Sequence, residues 1–234
     1  MTGLRTGGMT ATWKIFGLFV LLAVVGTLSH EFGHIAVARW LGYQTRLHYA
    51  AMSYEYENEI YAGRCGMPPT SAAEDVEAYA ECRRRAERRD GLLISLGGPL
   101  QTMLTGTIGL AWLLWDRRKR AAADPLGRAG WCAALLALFW SRQVFNQLTA
   151  GIDWIRGTRD APAGGDEARI AEALNIPVWS VSAPTALIGL AVCLAVVGYG
   201  VPAPLRRRFF SAGVAGSMLG FGLWMNLIGP YLLP

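Results

Sequence analysis

The sequence predicts an all-α polytopic membrane protein with about five transmembrane helices. Three observations carry that reading. First, 53% of the 234 residues are hydrophobic and they are gathered into blocks rather than spread. Charge is absent from Ile15 to Ser29, Gly91 to Trp115, Asn175 to Leu205 and Phe209 to Pro234, and Arg142 alone interrupts the block from Ala129 to Ile152. Second, four of these blocks meet the roughly 20 apolar residues that a helix needs to cross a bilayer. Third, arginine and lysine cluster in the short connections "DRRKRAAADPLGR" and "PAPLRRRFF", as the positive-inside rule expects. The net charge of +5 therefore calls for a bilayer surface and not for nucleic acid.

The expected spans lie near residues 13–38, 91–115, 130–152, 184–201 and 211–232. The first apolar block is short and reaches spanning length only if the helix continues through His30 and His34 to about Ala38. A cleaved signal peptide would also explain Arg5 and Lys14 ahead of a short apolar core, but no small-x-small cleavage site follows. Connection 39–90 opens with a polar, aromatic stretch ("YAAMSYEYENEIYAGRCGMPP") and continues as a charged helix. There, Ser71 to Glu74 has the form of a capping box, and Glu81 and Arg85 stand one turn apart. The second connection, 154–183, carries a Gly/Pro-rich loop and a short helix ending near Asn175 and Pro177. In the last span "GSMLG" (Gly216 to Gly220) fits close helix packing. Residues 1–175 thus form a core of three spans with loops 39–90 and 154–175, and residues 176–234 add two C-terminal spans. The charge-rich connections place the N-terminus in the cytoplasm and loops 39–90 and 154–183 outside. Of the four cysteines, Cys132 and Cys193 fall within spans as packing residues. Cys65 and Cys82 share loop 39–90 and form either a disulfide, if that loop faces an oxidising compartment, or a pair of free thiols.

Against this apolar background the segment "HEFGH", His30 to His34, stands out. On a helix, positions i and i+4 share a face, so His30 and His34 can hold one ion from the same side. Glu31 then reaches a water at that ion. This is the HExxH logic of zinc hydrolases: the metal activates water and the glutamate moves its proton to the leaving nitrogen. Intramembrane ionisable groups are functional by default, and two of only three histidines in the chain stand in this motif. An open catalytic site needs a third protein ligand. His48 lies in a loop with no supporting spacing. Asp153, at the end of the third span, and Asp166, in "GGDEARIA", are the carboxylates to weigh, and the residues alone leave both open. Asp166 also reads as an ordinary helix N-cap, and Asp153 as an interfacial residue.

"HEFGH" late in the first core span, Gly98-Pro99 in "LGGPL" opening the next, and Asn146 followed by an Asp-x-x-Arg element together resemble the site-2 protease family of intramembrane zinc metalloproteases. The resemblance covers roughly residues 13–175. It implies a three-helix catalytic core, a zinc ion held by His30, His34 and an aspartate, and Glu31 as the catalytic base. Asn146 would steady the substrate strand or the transition-state oxygen. The asparagine usual after Gly-Pro is replaced by Gln101 or Thr102, and Thr149 stands where a proline is usual. For the third ligand, the local context "GDEARIA" favours Asp166, with Glu167 in place of glycine, while distance from Asn146 favours the alternative, Asp153. If Asp166 is the ligand, the connecting segment is expanded and must fold back toward the first helix. The family generally opens its site toward the cytoplasm, whereas the arginine distribution here points outward.

The resulting expectation is a zinc-dependent (Zn2+) endopeptidase, multi-pass in the cell (plasma or inner) membrane. It cleaves transmembrane or membrane-adjacent segments of other proteins by activated water. Loop 39–90 is the natural gate or docking surface, or else a simple connector. The alternative is a non-hydrolytic scaffold or transporter with a structural zinc site, which would want four protein ligands where the sequence offers few donors.

Overall fold

A computed structural model describes residues 4–55, 58–66, 73–119 and 126–234. The capping-box residues Ser71 and Ala72 lie outside the described residues. The chain is predominantly helical, and three helices are long and apolar enough to cross a membrane: Thr12–Trp40, Trp179–Gly200 and Ala203–Leu232. The expected first and fifth spans fall within them, and the expected fourth, 184–201, runs one residue past the end of its helix.

Helix α1 (Leu4–Trp40) carries the first span through the histidine motif without a break. A short antiparallel ribbon follows, β1 (Thr45–Leu47) paired with β2 (Met52–Tyr54) in the register Arg46 opposite Ser53. The ribbon is a departure from the all-α expectation, confined to loop 39–90. After α2 (Asn58–Cys65) comes α3 (Ala73–Arg118), in which the expected charged helix and the apolar block 91–115 are one continuous helix. The block 130–152 is helical too, but it is divided into α4 (Arg128–Ala137), a 3-10 turn (Leu138–Trp140) and α5 (Ser141–Ile155). These two blocks are less uniformly apolar or less continuous than the other three. Gly97, Gly98, Gln101, Thr102 and Thr105 dilute the first, and the turn and Arg142 interrupt the second.

Helix α6 (Gly165–Ala173) lies beyond a folded-back segment, and Asn175 ends it in a left-handed conformation (φ 56°). Next come α7 (Trp179–Ala195), running into a π-helical turn, and α8 (Arg206–Leu223), followed by a second such turn and α9 (Gly229–Leu232). Glycines set how closely α8 meets α1. A Cβ on Gly216 or Gly220 would lie 2.5 Å from the Phe16 or Val20 carbonyl oxygen. The packing role expected of "GSMLG" is thus realised against α1.

The two ends of the bundle differ. At one end, Arg117 donates to the carbonyls of Tyr199 and Gly200, tying the ends of α3 and α7 together beside the arginine-rich connections. At the other, the described part of loop 39–90 forms a cap. Tyr43 donates to Asp90 at 2.6 Å and shares a 2.9 Å hydrogen bond with Tyr61, while Arg64 pairs with Asp90. Burial and then the Asp90 carboxylate push the Tyr43 phenol well above its ordinary pKa, so it stays a donor. A disulfide joins Cys65 to Cys82 and so fixes α2 to α3. The C-terminus also closes on this end: Tyr49 N–H donates to the Leu233 carbonyl and Trp224 Nε1 to the Tyr49 carbonyl.

Candidate metal centre

The site begins with a close crossing of α1 and α3. A Cβ on Gly33 would lie 2.5 Å from the Gly97 carbonyl oxygen, and one on Gly97 would lie 2.5 Å from that of Gly33. Two helix backbones therefore touch at the middle of "HEFGH", as small residues permit in membrane helices. Helix α1 turns His30, Glu31 and His34 inward, at 1%, 5% and 6% exposure, while Phe32 faces out at 56%. That division follows from the helical period alone.

Both imidazoles are held from behind. The Thr102 hydroxyl donates to the Gly98 carbonyl at 2.9 Å, which leaves its oxygen to accept from His30 Nδ1–H, also at 2.9 Å. His34 Nδ1 lies 2.6 Å from the Ile94 carbonyl, which can only accept. The Gly98 N–H is 3.3 Å from the same nitrogen, and this longer contact cannot be a hydrogen bond while Nδ1 carries the proton. Both rings thus carry their proton on Nδ1 and present a bare Nε2, the outer support that metal-binding histidines use.

Asp166 completes the arrangement. Its Oδ2 lies 2.9 Å from His30 Nε2 and 3.3 Å from His34 Nε2, and the two nitrogens are 3.2 Å apart. Ligands of a tetrahedral zinc at about 2.0–2.1 Å stand about 3.3 Å from one another, so the triangle fits the ion. Gly98 forms the floor: a Cβ there would collide with His34 Nε2 and lie 2.6 Å from His30 Nε2. Glu31 offers a carboxylate oxygen within 4.8 Å of the histidine donors. Proximity alone would admit Glu31 as a ligand, but the tighter triangle is the one that Asp166 closes.

The segment before Asp166 does fold back. Gly165, at φ 68°, makes the turn that aims the next side chain at α1. Gly164 occupies the N-cap position, so Asp166 is not the N-cap that its context suggested. The alternative aspartate is elsewhere: Asp153 accepts from Arg159 Nε at 3.2 Å in a partly exposed pair. His48 is in the cap, where Nδ1–H donates to the Pro234 carbonyl at 2.7 Å. Asn146 Nδ2 and Glu167 Oε2 lie 4.0 and 3.5 Å from where a Gly165 Cβ would be, so Asn146 stands beside the site rather than on the metal-facing donors.

Three contributors were not singled out for these roles from the sequence. Thr102 orients His30, Gly33 admits α3, and Glu167 is buried at 1% exposure beside Asn146. The signals were present in Gly33 inside the motif and in a hydroxyl four residues after Gly98. Comparison with protein-family models, with curated proteins and with solved structures gives no match.

Proposed function

We propose that this protein is a zinc-dependent intramembrane endopeptidase with a site-2-protease-like core. The observation that carries the reading is the buried triangle of His30 Nε2, His34 Nε2 and Asp166 Oδ2, with a carboxylate one residue along the same helix. In this reading α1, the apolar half of α3, and α4 with α5 are the core spans, α7 and α8 make five, and α6 brings in the third ligand.

When bound, zinc supplies a Lewis acid that makes water acidic and polarises a peptide carbonyl. The protein supplies the rest. His30 and His34 keep their Nε2 lone pairs aimed at one point because Thr102 and Ile94 hold the Nδ1 protons. Glu31 takes the proton from the attacking water and returns it to the leaving nitrogen. Three protein donors leave the fourth tetrahedral position to water or substrate, whereas a structural zinc site is closed by four. That count favours hydrolysis over the scaffold reading.

The substrate class follows from physics. A peptide bond within a helix is internally hydrogen-bonded and shielded, so it must unwind before water attacks. Segments with glycine, proline or polar residues near the membrane should be cut faster than the same segments with leucine there.

The test is cleavage of a panel of single-span membrane substrates in detergent by wild type and Glu31→Gln. The proposal expects cleavage by wild type only, with zinc retained in both. Equal function of both proteins in the cell, with zinc retained, would move the assignment to the scaffold.

A further inference from the structure

Arg142 is the one charge in the block from Ala129 to Ile152. It lies in the first turn of α5, one helical turn before Asn146, so the two share a face. Asn146 is beside Glu167, next in sequence to Asp166. The side chain of Arg142 therefore comes up beside the metal centre. The titratable groups within its electrostatic reach are Glu31 and His30 from α1 and Asp166 and Glu167 from α6. Among the described residues it has no ion-pair partner, and its Nε is shielded from solvent without a hydrogen-bond partner although the residue as a whole is only half-buried.

A guanidinium nitrogen buried without a direct partner is costly, and inside a membrane protein such a charged group marks a site. Five N–H donors in a planar fork stand near the carboxylate that serves as base and near the donors that hold the ion. What they lack is an acceptor, and the reaction creates one. Resting on the endopeptidase reading, we infer that Arg142 is a catalytic residue whose guanidinium receives the oxyanion formed from the scissile peptide carbonyl.

The step balances without a further reactant. The water oxygen bonds to the carbonyl carbon, and the carbonyl π pair moves onto its oxygen, where the Arg142 N–H groups bind it. Glu31 takes the water proton. When the C–N bond breaks, its electron pair goes to nitrogen, which receives that proton. Arg142 transfers nothing and acts only as a fixed positive donor, the arrangement that stabilises developing charge best in a water-poor site.

The competing role is structural. A divalent ion and one guanidinium together offset the carboxylates of Glu31, Asp166 and Glu167, so Arg142 would then only hold the ligand aspartate in place. A phosphinic pseudo-peptide, which carries a negative tetrahedral centre, separates the two roles without turnover. Its affinity is read from how well it protects zinc against a chelator in detergent-purified wild type, Arg142→Gln and Arg142→Lys. Zinc per polypeptide is measured in each.

The inference expects about one zinc in all three proteins, with phosphinate affinity lowered on the order of 10²-fold in Arg142→Gln, the effect of losing one oxyanion donor, and partly restored in Arg142→Lys. Unchanged phosphinate affinity in zinc-loaded Arg142→Gln overturns it. So does zinc loss in both variants, which assigns the structural role. If Arg142→Gln does not fold, the lysine variant decides: zinc kept with weakened phosphinate binding supports the inference, and zinc kept with unchanged binding overturns it. Wild type without zinc defeats the endopeptidase reading itself, whereas wild type that loads zinc and binds phosphinate independently of Arg142 defeats only this inference.

Discussion

Thr102→Val is the perturbation that interrogates the metal centre without touching a ligand. Valine matches threonine in shape but removes the hydroxyl that accepts from His30 Nδ1–H at 2.9 Å. His30 is 1% exposed and Thr102 is also 1% exposed, so water cannot replace the lost acceptor. Leaving a buried donor unpaired costs about 1–3 kcal/mol. The imidazole also loses the constraint on its tautomer and ring orientation, a change worth about 10- to 100-fold in metal affinity, or about 1.4–2.8 kcal/mol. The two routes to a magnitude agree. The assay is a zinc competition titration against a chromogenic chelator in detergent. Two controls sharpen it: Thr102→Ser keeps the acceptor, and Thr185→Val removes a hydroxyl that bonds only to carbonyls of its own helix, Val181 and Ser182, away from the histidines. Weakening by at least tenfold in Thr102→Val alone is the expected outcome. Affinity within twofold of wild type, or an equal loss in Thr185→Val, would refute the role given to the Thr102 hydroxyl.

Further outcomes follow from the same geometry. Gly97→Ala places a Cβ 2.5 Å from the Gly33 carbonyl oxygen, and backbone cannot swing aside. The variant should lose about 1–3 kcal/mol and with it a proper zinc site, whereas Gly26→Ala, with nothing within 4 Å, should leave thermal unfolding near wild type. In unreduced protein a maleimide reagent under denaturing conditions should label Cys132 and Cys193 only, and reduction should add two thiols, from the Cys65–Cys82 disulfide. That disulfide spans 17 residues, a loop whose closure is worth about 3 kcal/mol. Cys65→Ser should therefore expose the cap to protease while zinc content is unchanged. A cap no more sensitive than wild type would remove its claim to be a stapled unit.

Much of this was legible in the sequence, because the strongest signals were local. Charge-free blocks are a property of composition, and the three helices apolar enough to span overlap the first block and the last two. His30 and His34 share a face by the helical period, so their pairing needed no tertiary information. Which aspartate comes to the histidines was harder to read. Spacing favoured Asp153 and context favoured Asp166, and the fold brings Asp166 beside the two imidazoles, since Gly157 (φ 70°) and Gly165 (φ 68°) turn the chain back in ways that a count of residues cannot register. The cap was less readable still. Its network joins Tyr43, Tyr61, Arg64 and Asp90 across 47 residues, and each of them alone reads as an ordinary loop or helix residue. The ribbon 45–54 went unread because two strands of three residues are too short to show a period.

The orientation of the bundle now has two independent indicators. The arginine-rich connections lie at the Arg117 end, which the positive-inside rule assigns to the cytoplasm. The disulfide lies at the cap end, and disulfides persist in oxidising compartments. Both predict that the cap faces outward, with the metal centre in the half of the bundle nearer to it. A membrane-impermeant thiol reagent on intact cells should label a cysteine placed at Ser53 and leave one placed at Arg118 unlabelled. The reverse pattern would overturn this orientation.

The central claim is that a zinc ion sits between His30, His34 and Asp166. Its most direct test is zinc per polypeptide in detergent-purified wild type, Asp166→Ala and Asp153→Ala. About one zinc in wild type and in Asp153→Ala, with loss in Asp166→Ala, is the predicted result. No zinc in carefully purified wild type, or loss on changing Asp153 but not Asp166, would contradict the account.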